Sequence, residues 1–310
     1  MLLHSCNNVD DISGDDVPGY SPIFVSGITD TPLLKSSLPK DMCKGFKVFV
    51  AKEKNGVSET VMDGYEVTYA NGIWSYVAGS QELKYWVSDV DNYQFVAGAP
   101  VDSVLSINRS EMTLHLENNT RGSVLASEPL KIERNSADFG KTVNLFFGYA
   151  HCRVCVAFYH DSPVEVKNIT LTPETAITSK ADVTYTYNWS VDPIGVTTAL
   201  TNKATSNAAL VFEDVSVTAK NAVPSASYYY CVPDETNGAN WTIRLQVDGE
   251  WKEKQFENTE TWKRGKNYIY LFTLANKTPK LVKVITQDAE FFDCNDILPG
   301  GSFDDVIMTE

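Results

Sequence analysis

An all-β sandwich is the fold class that this chain predicts, and three observations predict it. Short aromatic or β-branched segments alternate their residues between two faces at period two. Gly, Asn, Asp or Pro separate those segments, and no stretch longer than two or three turns carries a convincing 3.6-residue period.

In chain order the first group of segments is Phe46-Lys-Val-Phe-Val-Ala51, Tyr65-Glu-Val-Thr-Tyr69, Ile73-Trp-Ser-Tyr-Val77, Tyr93-Gln-Phe-Val-Ala97 and Met112-Thr-Leu-His-Leu116. Asn71-Gly72 predicts a hairpin between two of them, because both central residues of a type I′ turn take positive φ. The second group covers residues 143–147, 153–158, 164–171, 184–189, 228–232, 241–247, 268–274 and 281–286, with Asp248-Gly249 repeating the hairpin signal ahead of Trp251. Near the end, Gly265 supplies the positive φ of a tight turn, and Tyr268, Tyr270, Phe272 and Leu274 then share one strand face. Trp74 and Tyr268 are the expected core residues of two separate sandwiches.

A chain of 310 residues is long enough for roughly two domains of about 150 residues each. The polar stretch Glu133-Arg-Asn-Ser-Ala-Asp-Phe-Gly140 is the candidate boundary, giving sandwiches at residues 25–138 and 139–310 behind a leader and tether at residues 1–24. Lys plus Arg number 26 against 40 Asp plus Glu, a net charge of −14 that repels phosphate backbones and anionic lipid head groups; nucleic acid is not an expected partner. No apolar run approaches the roughly 20 residues of a spanning helix.

The six cysteines, Cys6, Cys43, Cys152, Cys155, Cys231 and Cys294, are too scattered for a disulfide-framework scaffold. Cys152 and Cys155 form a C-x-x-C inside the apolar run Arg153-Val-Cys-Val-Ala-Phe158. Their odd offset places them on opposite faces of a strand, so they are read as buried structural cysteines and not as a redox or zinc pair. Met1-Leu-Leu-His-Ser-Cys6 reads as the tail of a lipoprotein signal, with Leu3 three residues before Cys6 and small Ser5 immediately before it; His4 departs from the small residue usual there. Either the precursor's basic and apolar regions precede these residues or the match is accidental. A lipidated Cys6 tethers an otherwise non-spanning chain to the outer membrane.

Enzyme motifs are absent: there is no G-x-S-x-G, no H-E-x-x-H, no phosphate loop and no dinucleotide fingerprint. No cofactor and no metal site is expected. Asp89-Val-Asp91-Asn92 lacks the glycine and later glutamate of a calcium loop and is read as a solvated turn. His115 lies on the face opposite Met112, Leu114 and Leu116, and His160 falls in a loop. A rival to an assembly role is glycan binding, with Trp251, Trp262 and Tyr228-Tyr-Tyr230 as candidate stacking residues.

Several of these stretches together resemble the fimbrillin family of Bacteroidales, its Mfa-like branch in particular. They are Asn71-Gly-Ile-Trp74, Tyr85-Trp86 and Tyr93-Gln-Phe-Val-Ala-Gly-Ala-Pro100, then Val124-Leu-Ala126, Val143-Asn-Leu-Phe-Phe147 with Ala150-His151, Val164 to Leu171, and Trp262 to Leu274. The resemblance implies two transthyretin-like β-sandwich domains in a surface lipoprotein or fimbrial subunit, with other fimbrial subunits as partners and a host protein or glycan as adhesion target. It also implies a structural role for His151 and polymerisation by donor-strand exchange. Asp102-Ser103-Val104 resembles the O-glycosylation site of exported Bacteroidetes proteins. One departure stands out: shaft subunits of the family are typically cut by an arginine-specific protease early in the first domain, whereas the first arginine here is Arg109. That departure points to a tip, anchor or accessory subunit, or to a different maturation protease.

The C-terminal strings Ala289 to Leu298 and Phe303-Asp-Asp-Val-Ile-Met308 flank Pro299-Gly-Gly301. Phe303, Val306, Ile307 and Met308 are the candidate donor strand, the alternative being that they pack on their own domain. The alternative for the whole chain is a non-polymerising surface glycan-binding lipoprotein.

Overall fold

The structure, a computed structural model, describes residues 21–29, 45–70, 73–76, 81–233 and 239–289. The fold is all-β. The strands are β1 (Val25–Thr29), β2 (Phe46–Lys54), β3 (Val57–Ala70), β4 (Ile73–Ser75), β5 (Asn92–Ala99), β6 (Val104–Ile107), β7 (Glu111–Glu117), β8 (Leu125–Ser127), β9 (Leu130–Glu133), β10 (Val143–Tyr149) and β11 (Cys152–Tyr159). They continue as β12 (Val164–Pro173), β13 (Ile177–Asn188), β14 (Gly195–Ser206), β15 (Leu210–Phe212), β16 (Val215–Val217), β17 (Ala222–Pro224), β18 (Tyr229–Cys231), β19 (Ala239–Val247), β20 (Glu250–Asn258), β21 (Lys266–Thr273) and β22 (Lys280–Asp288).

Four sheets form two facing pairs. The first sheet runs β1-β10-β8-β5-β2-β3-β4 with β9 beside β5, and it faces the sheet β14-β13-β7-β6. Between them pack Phe49, Val96, Leu114, Val183 and Tyr187. The third sheet, β17-β11-β21-β22 with β18 also on β11, faces β15-β12-β19-β20 with β16 also on β12. Val154, Phe158, Val166, Trp241 and Phe272 fill that second core.

Strands from both sides of residue 138 share these layers. β10 lies in the first sheet beside β8, and β13 pairs with β7 through seven registered residues, Lys180↔Glu117 to Thr186↔Glu111. The layers therefore do not divide at the polar stretch 133–140.

The period-two pattern places the faces correctly. β10 alternates, with Val143, Leu145, Phe147 and Tyr149 buried. Met112, Leu114 and Leu116 of β7 likewise point inward. β5, β11 and nearly all of β21 are instead buried on both faces. On β21, Tyr268, Tyr270 and Phe272, with Leu274 just after the strand, join the second core, while Ile269 and Leu271 pack with Cys155 and Ala157 on the opposite face. Each such side chain contributes on the order of 1.5–3 kcal/mol by leaving water. Trp74 departs from expectation: it is half-buried against the first sheet's outer cluster, where Phe46 lies 5.1 Å away. Tyr268 is 1% exposed.

The turns follow their chemistry. Asp248 and Gly249 both have positive φ, 50° and 84°, and Gly265 has φ 67°. Asn55-Gly56, with φ 51° and 74°, closes the β2–β3 hairpin in the same way. Asn71 and Gly72 lie outside the described residues, but the flanking pairs Tyr69↔Trp74 and Ala70↔Ile73 have hairpin register.

Between β10 and β11 the chain passes from the first sheet to the third through Ala150 and His151 alone. Three hydrogen bonds, two of them to Val124, pin the corner. Ala150 N–H donates to Val124 O at 2.9 Å, Val124 N–H donates to His151 Nδ1 at 3.1 Å, and Gly265 N–H donates to His151 O at 3.0 Å.

Candidate assembly site

The first sheet ends in a strand of unusual character. β1 pairs with β10 in parallel, Val25↔Val143 to Thr29↔Phe147, whereas every other neighbour on that sheet's path is antiparallel. Residues ahead of it extend the seam: Val143 N–H donates to Phe24 O at 2.8 Å, Ile23 N–H to Lys84 O at 2.8 Å, and Trp86 N–H to Ser21 O at 2.9 Å. Ser26 Oγ donates to Asn144 Oδ1 at 2.6 Å. Ile23 and Val25, 0% and 2% exposed, plug the cluster formed by Val143, Phe147, Trp86 and Phe95. The outward-facing Phe24 and Phe146 remain 44% and 40% exposed.

A segment with these properties occupies a slot. Without it, the N–H and C=O groups along one side of β10 lose their partners, and Ile23 and Val25 leave a trough in the core. Any chain taking the place of β1 would have to offer main-chain hydrogen bonds to β10 and apolar side chains at alternate positions.

A groove of about 870 Å³ lies close by, between the β8–β10 end of the first sheet, the β13–β14 hairpin and the turn before β21. Phe146, Tyr185, Ile194, Val196 and Arg264 line it, with the Arg264 guanidinium 4.9 Å from the centre of the Tyr185 ring. Burial pushes the Tyr185 hydroxyl above its usual pKa. Asp288 and Ala289, the last described residues, also line the groove.

Residues singled out in the sequence fall as follows. Cys6 and the candidate donor residues Phe303, Val306, Ile307 and Met308 lie outside the described residues. Cys152 and Cys155 are buried on opposite faces of β11, in separate apolar clusters. His151 is 0% exposed, and burial lowers its pKa to about 4. His115 pairs with Asp182 at 2.8 Å on the outer face of β7, and His160 lies in the loop after β11. Asp89 pairs with Lys54, and Asp91 accepts the Asn55 N–H at 2.6 Å, so these carboxylates hold the β2–β3 turn. Among the described residues no group of three or more His, Cys, Asp or Glu could hold a metal ion.

Of the stacking candidates, Trp262 is buried and donates to Tyr270 Oη at 3.0 Å, and Arg153 lies over the Tyr228 ring at 4.3 Å. Trp251 is 50% exposed, but Arg244 covers its ring at 4.4 Å. Arg109 binds Glu53 at 2.7 Å and Gln94 at 2.6 Å, far along the chain from β1. Ser103 closes a 3-10 turn, Val101–Ser103. The β1 slot was not found from sequence, although Ile23-Phe24-Val25 is a short apolar run of strand-forming residues.

No described helix is long and apolar enough to cross a membrane. No curated protein sequence matches the chain. Among solved structures the chain is similar to a candidate cell adhesion protein of Bacteroides uniformis, at 11% identity and TM-score 0.54, covering 87% of this chain and 98% of that one. A candidate cell adhesion protein of Bacteroides ovatus is similar at 10% identity and TM-score 0.53, covering 88% and 98%. At these identities the likeness concerns the fold. The model of the fimbrillin-like family matches residues 41–288, which contain both sheet pairs apart from β1. That family is structural and non-enzymatic, with a cell-surface or fimbrial location, in keeping with the missing catalytic motifs. By this match over most of its length, the chain belongs to the fimbrillin-like family.

Proposed function

We propose that this chain is a fimbrial subunit that joins its neighbours by donor-strand exchange, with the β1 position as the acceptor slot and Phe303, Val306, Ile307 and Met308 as the donor residues. The observation that carries the reading is β1 itself. It is five residues long, parallel, at a sheet edge, and separated from β2 by residues 30–45. Parallel pairing is slightly weaker per residue than antiparallel pairing, so a longer donor segment has the advantage in the same slot. The two sheet pairs are then the two transthyretin-like domains of the subunit.

Maturation is part of the proposal. Arg109 follows β5 and is engaged by Glu53 and Gln94, so release of β1 calls for a protease of other than arginine specificity, or for a subunit that keeps β1 and acts at a filament end. Acylation of Cys6 would hold the protein at the outer membrane, with other fimbrial subunits as partners and adhesion to a host protein or glycan as the role. For the glycan-binding alternative, the half-exposed Trp251 ring already has Arg244 stacked over it at 4.4 Å.

The test is deletion of Ser302 to Glu310, followed by melting measurements and electron microscopy of filaments. Donor exchange requires the monomer to keep its melting temperature while filaments disappear. A truncated protein that still polymerises, or that no longer folds, counts against the donor role.

A further inference from the structure

Cys152 and Cys231 are direct cross-strand partners. β11 and β18 pair antiparallel with the register Cys152↔Cys231, Arg153↔Tyr230, Val154↔Tyr229. Tyr230 sends both its N–H and its C=O to Asn119 on the far side, at 2.7 and 2.9 Å. Its position opposite Arg153 is therefore the non-hydrogen-bonded one, and alternation makes Cys152↔Cys231 a hydrogen-bonded pair, for which Cα atoms stand about 5.5 Å apart. That separation falls inside the range a disulfide spans. The two side chains share a face, since both join the second core, and both are 0% exposed. The Cys152 thiol reaches to within 3.4 Å of the Cys231 carbonyl oxygen.

The other described cysteine is excluded from this pairing. Cys155 faces the opposite side of β11, where its sulfur lies 3.5 Å from Ser225 Oγ.

We propose that Cys152 and Cys231 are a modification site, joined as a disulfide in the exported protein. Both thiols lose a proton and an electron as the Sγ–Sγ bond forms, and the disulfide of a protein or small-molecule thiol oxidant takes up both electrons and both protons to become two thiols. A cell-surface or fimbrial location places the chain where such oxidants operate. In this structure both thiols are free and shut away from solvent, 0% exposed, and burial pushes the Cys231 thiol above its usual pKa. Oxidation therefore precedes closure of the second core. The cross-link ties β18 to the start of β11, immediately after the two-residue passage between the sheet pairs, and closes a loop between positions 79 residues apart in sequence. The inference does not rest on donor-strand exchange.

The full-length chain is refolded from denaturant in a glutathione redox buffer. It is then denatured again, alkylated without reduction, and mapped by mass spectrometry. The expected result is a Cys152–Cys231 linked peptide, loss of alkyl label at both positions, and a melting temperature that falls on reduction. A Cys155→Ser variant should give the same linked peptide. Full alkylation of Cys152 and Cys231, or their linkage to any other cysteine, would overturn the assignment.

Discussion

His151 makes stability depend on pH in a way that can be worked out from its surroundings. Its ring is fully buried at the corner between β10 and β11, and Nδ1 accepts the Val124 N–H, which leaves the proton of the neutral ring on Nε2. Burial lowers the pKa from 6.5 to about 4. The unfolded chain then takes up a proton as pH falls below 6.5, while the folded chain resists until about 4. The contribution is thus present in full above pH 6.5 and is lost progressively as pH drops toward 4. Its size is on the order of 3 kcal/mol, at about 1.36 kcal/mol for each pH unit of displacement.

The perturbation to test is His151→Asn, which keeps a side-chain oxygen near the Val124 amide and removes the titration. Urea unfolding of both proteins, followed by tryptophan fluorescence from about pH 4 to about pH 8, gives the stability difference as a function of pH. Carboxylates titrate in both proteins and cancel in that difference. Between about pH 7 and about pH 4 the wild type should lose on the order of 3 kcal/mol of stability relative to the variant. A difference that stays constant across the range would refute the buried, neutral histidine.

Gly98→Ala places a Cβ 2.8 Å from Leu114 Cδ2 and from Met112 Sδ, and 2.9 Å from Val104 Cγ2; it should cost about 1–3 kcal/mol in denaturant unfolding, and an unchanged midpoint would contradict the close packing of β5 on β6 and β7. Tyr268→Ala should cost about 3–5 kcal/mol, and half-buried Trp74→Ala less than half as much; equal losses would remove the distinction between their environments. Acylation of Cys6 predicts that a fatty-acid probe labels the full precursor but not Cys6→Ala, and equal labelling of the two sinks the idea.

Facing was legible in the sequence wherever a strand alternates, because side-chain period is a local property. The one-face assignments of Met112-Leu114-Leu116 and Tyr268-Tyr270-Phe272 match the cores the structure builds, as do the opposed sulfurs of Cys152 and Cys155. What covers the second face was not legible. Ile269 and Leu271 read as the outer face of a half-buried strand, yet both are buried, because β21 lies between β11 and β22 in a sheet with apolar groups on both sides. Partner choice was also hidden. β13 pairs with β7 across the polar stretch 133–140, and β1 finds β10 at a separation of 118 residues. Local pattern carries no term for such pairings. β14 escaped notice for the opposite reason, since Gly195 to Ser206 is largely exposed Thr, Asn, Lys and Ala with little apolar signal. Lys54-Asn55-Gly56-Val57 carries the same hairpin signal as Asn71-Gly72 and was available to be read.

The chain's sheet edges differ in how they discourage added strands, and the difference bears on assembly. β20 alternates charges along Glu250-Trp-Lys-Glu-Lys-Gln-Phe-Glu-Asn258, and β22 carries Lys280, Lys283 and Asp288. Charges of this kind on an exposed edge oppose pairing with another chain. β14 has a single lysine, but two register shifts in its pairing with β13 bend the hairpin, and bulges likewise spoil an edge as a template. From Pro22 to Thr29 there is no charge, and β1 pairs with β10 without a shift in register. The regular ladder along β10 is covered by a short, uncharged strand of the same chain, so the protection at that edge comes from occupancy. Occupancy, unlike charge or a bulge, can be removed and replaced without altering the rest of the sheet, which is what the proposed strand exchange requires of this edge.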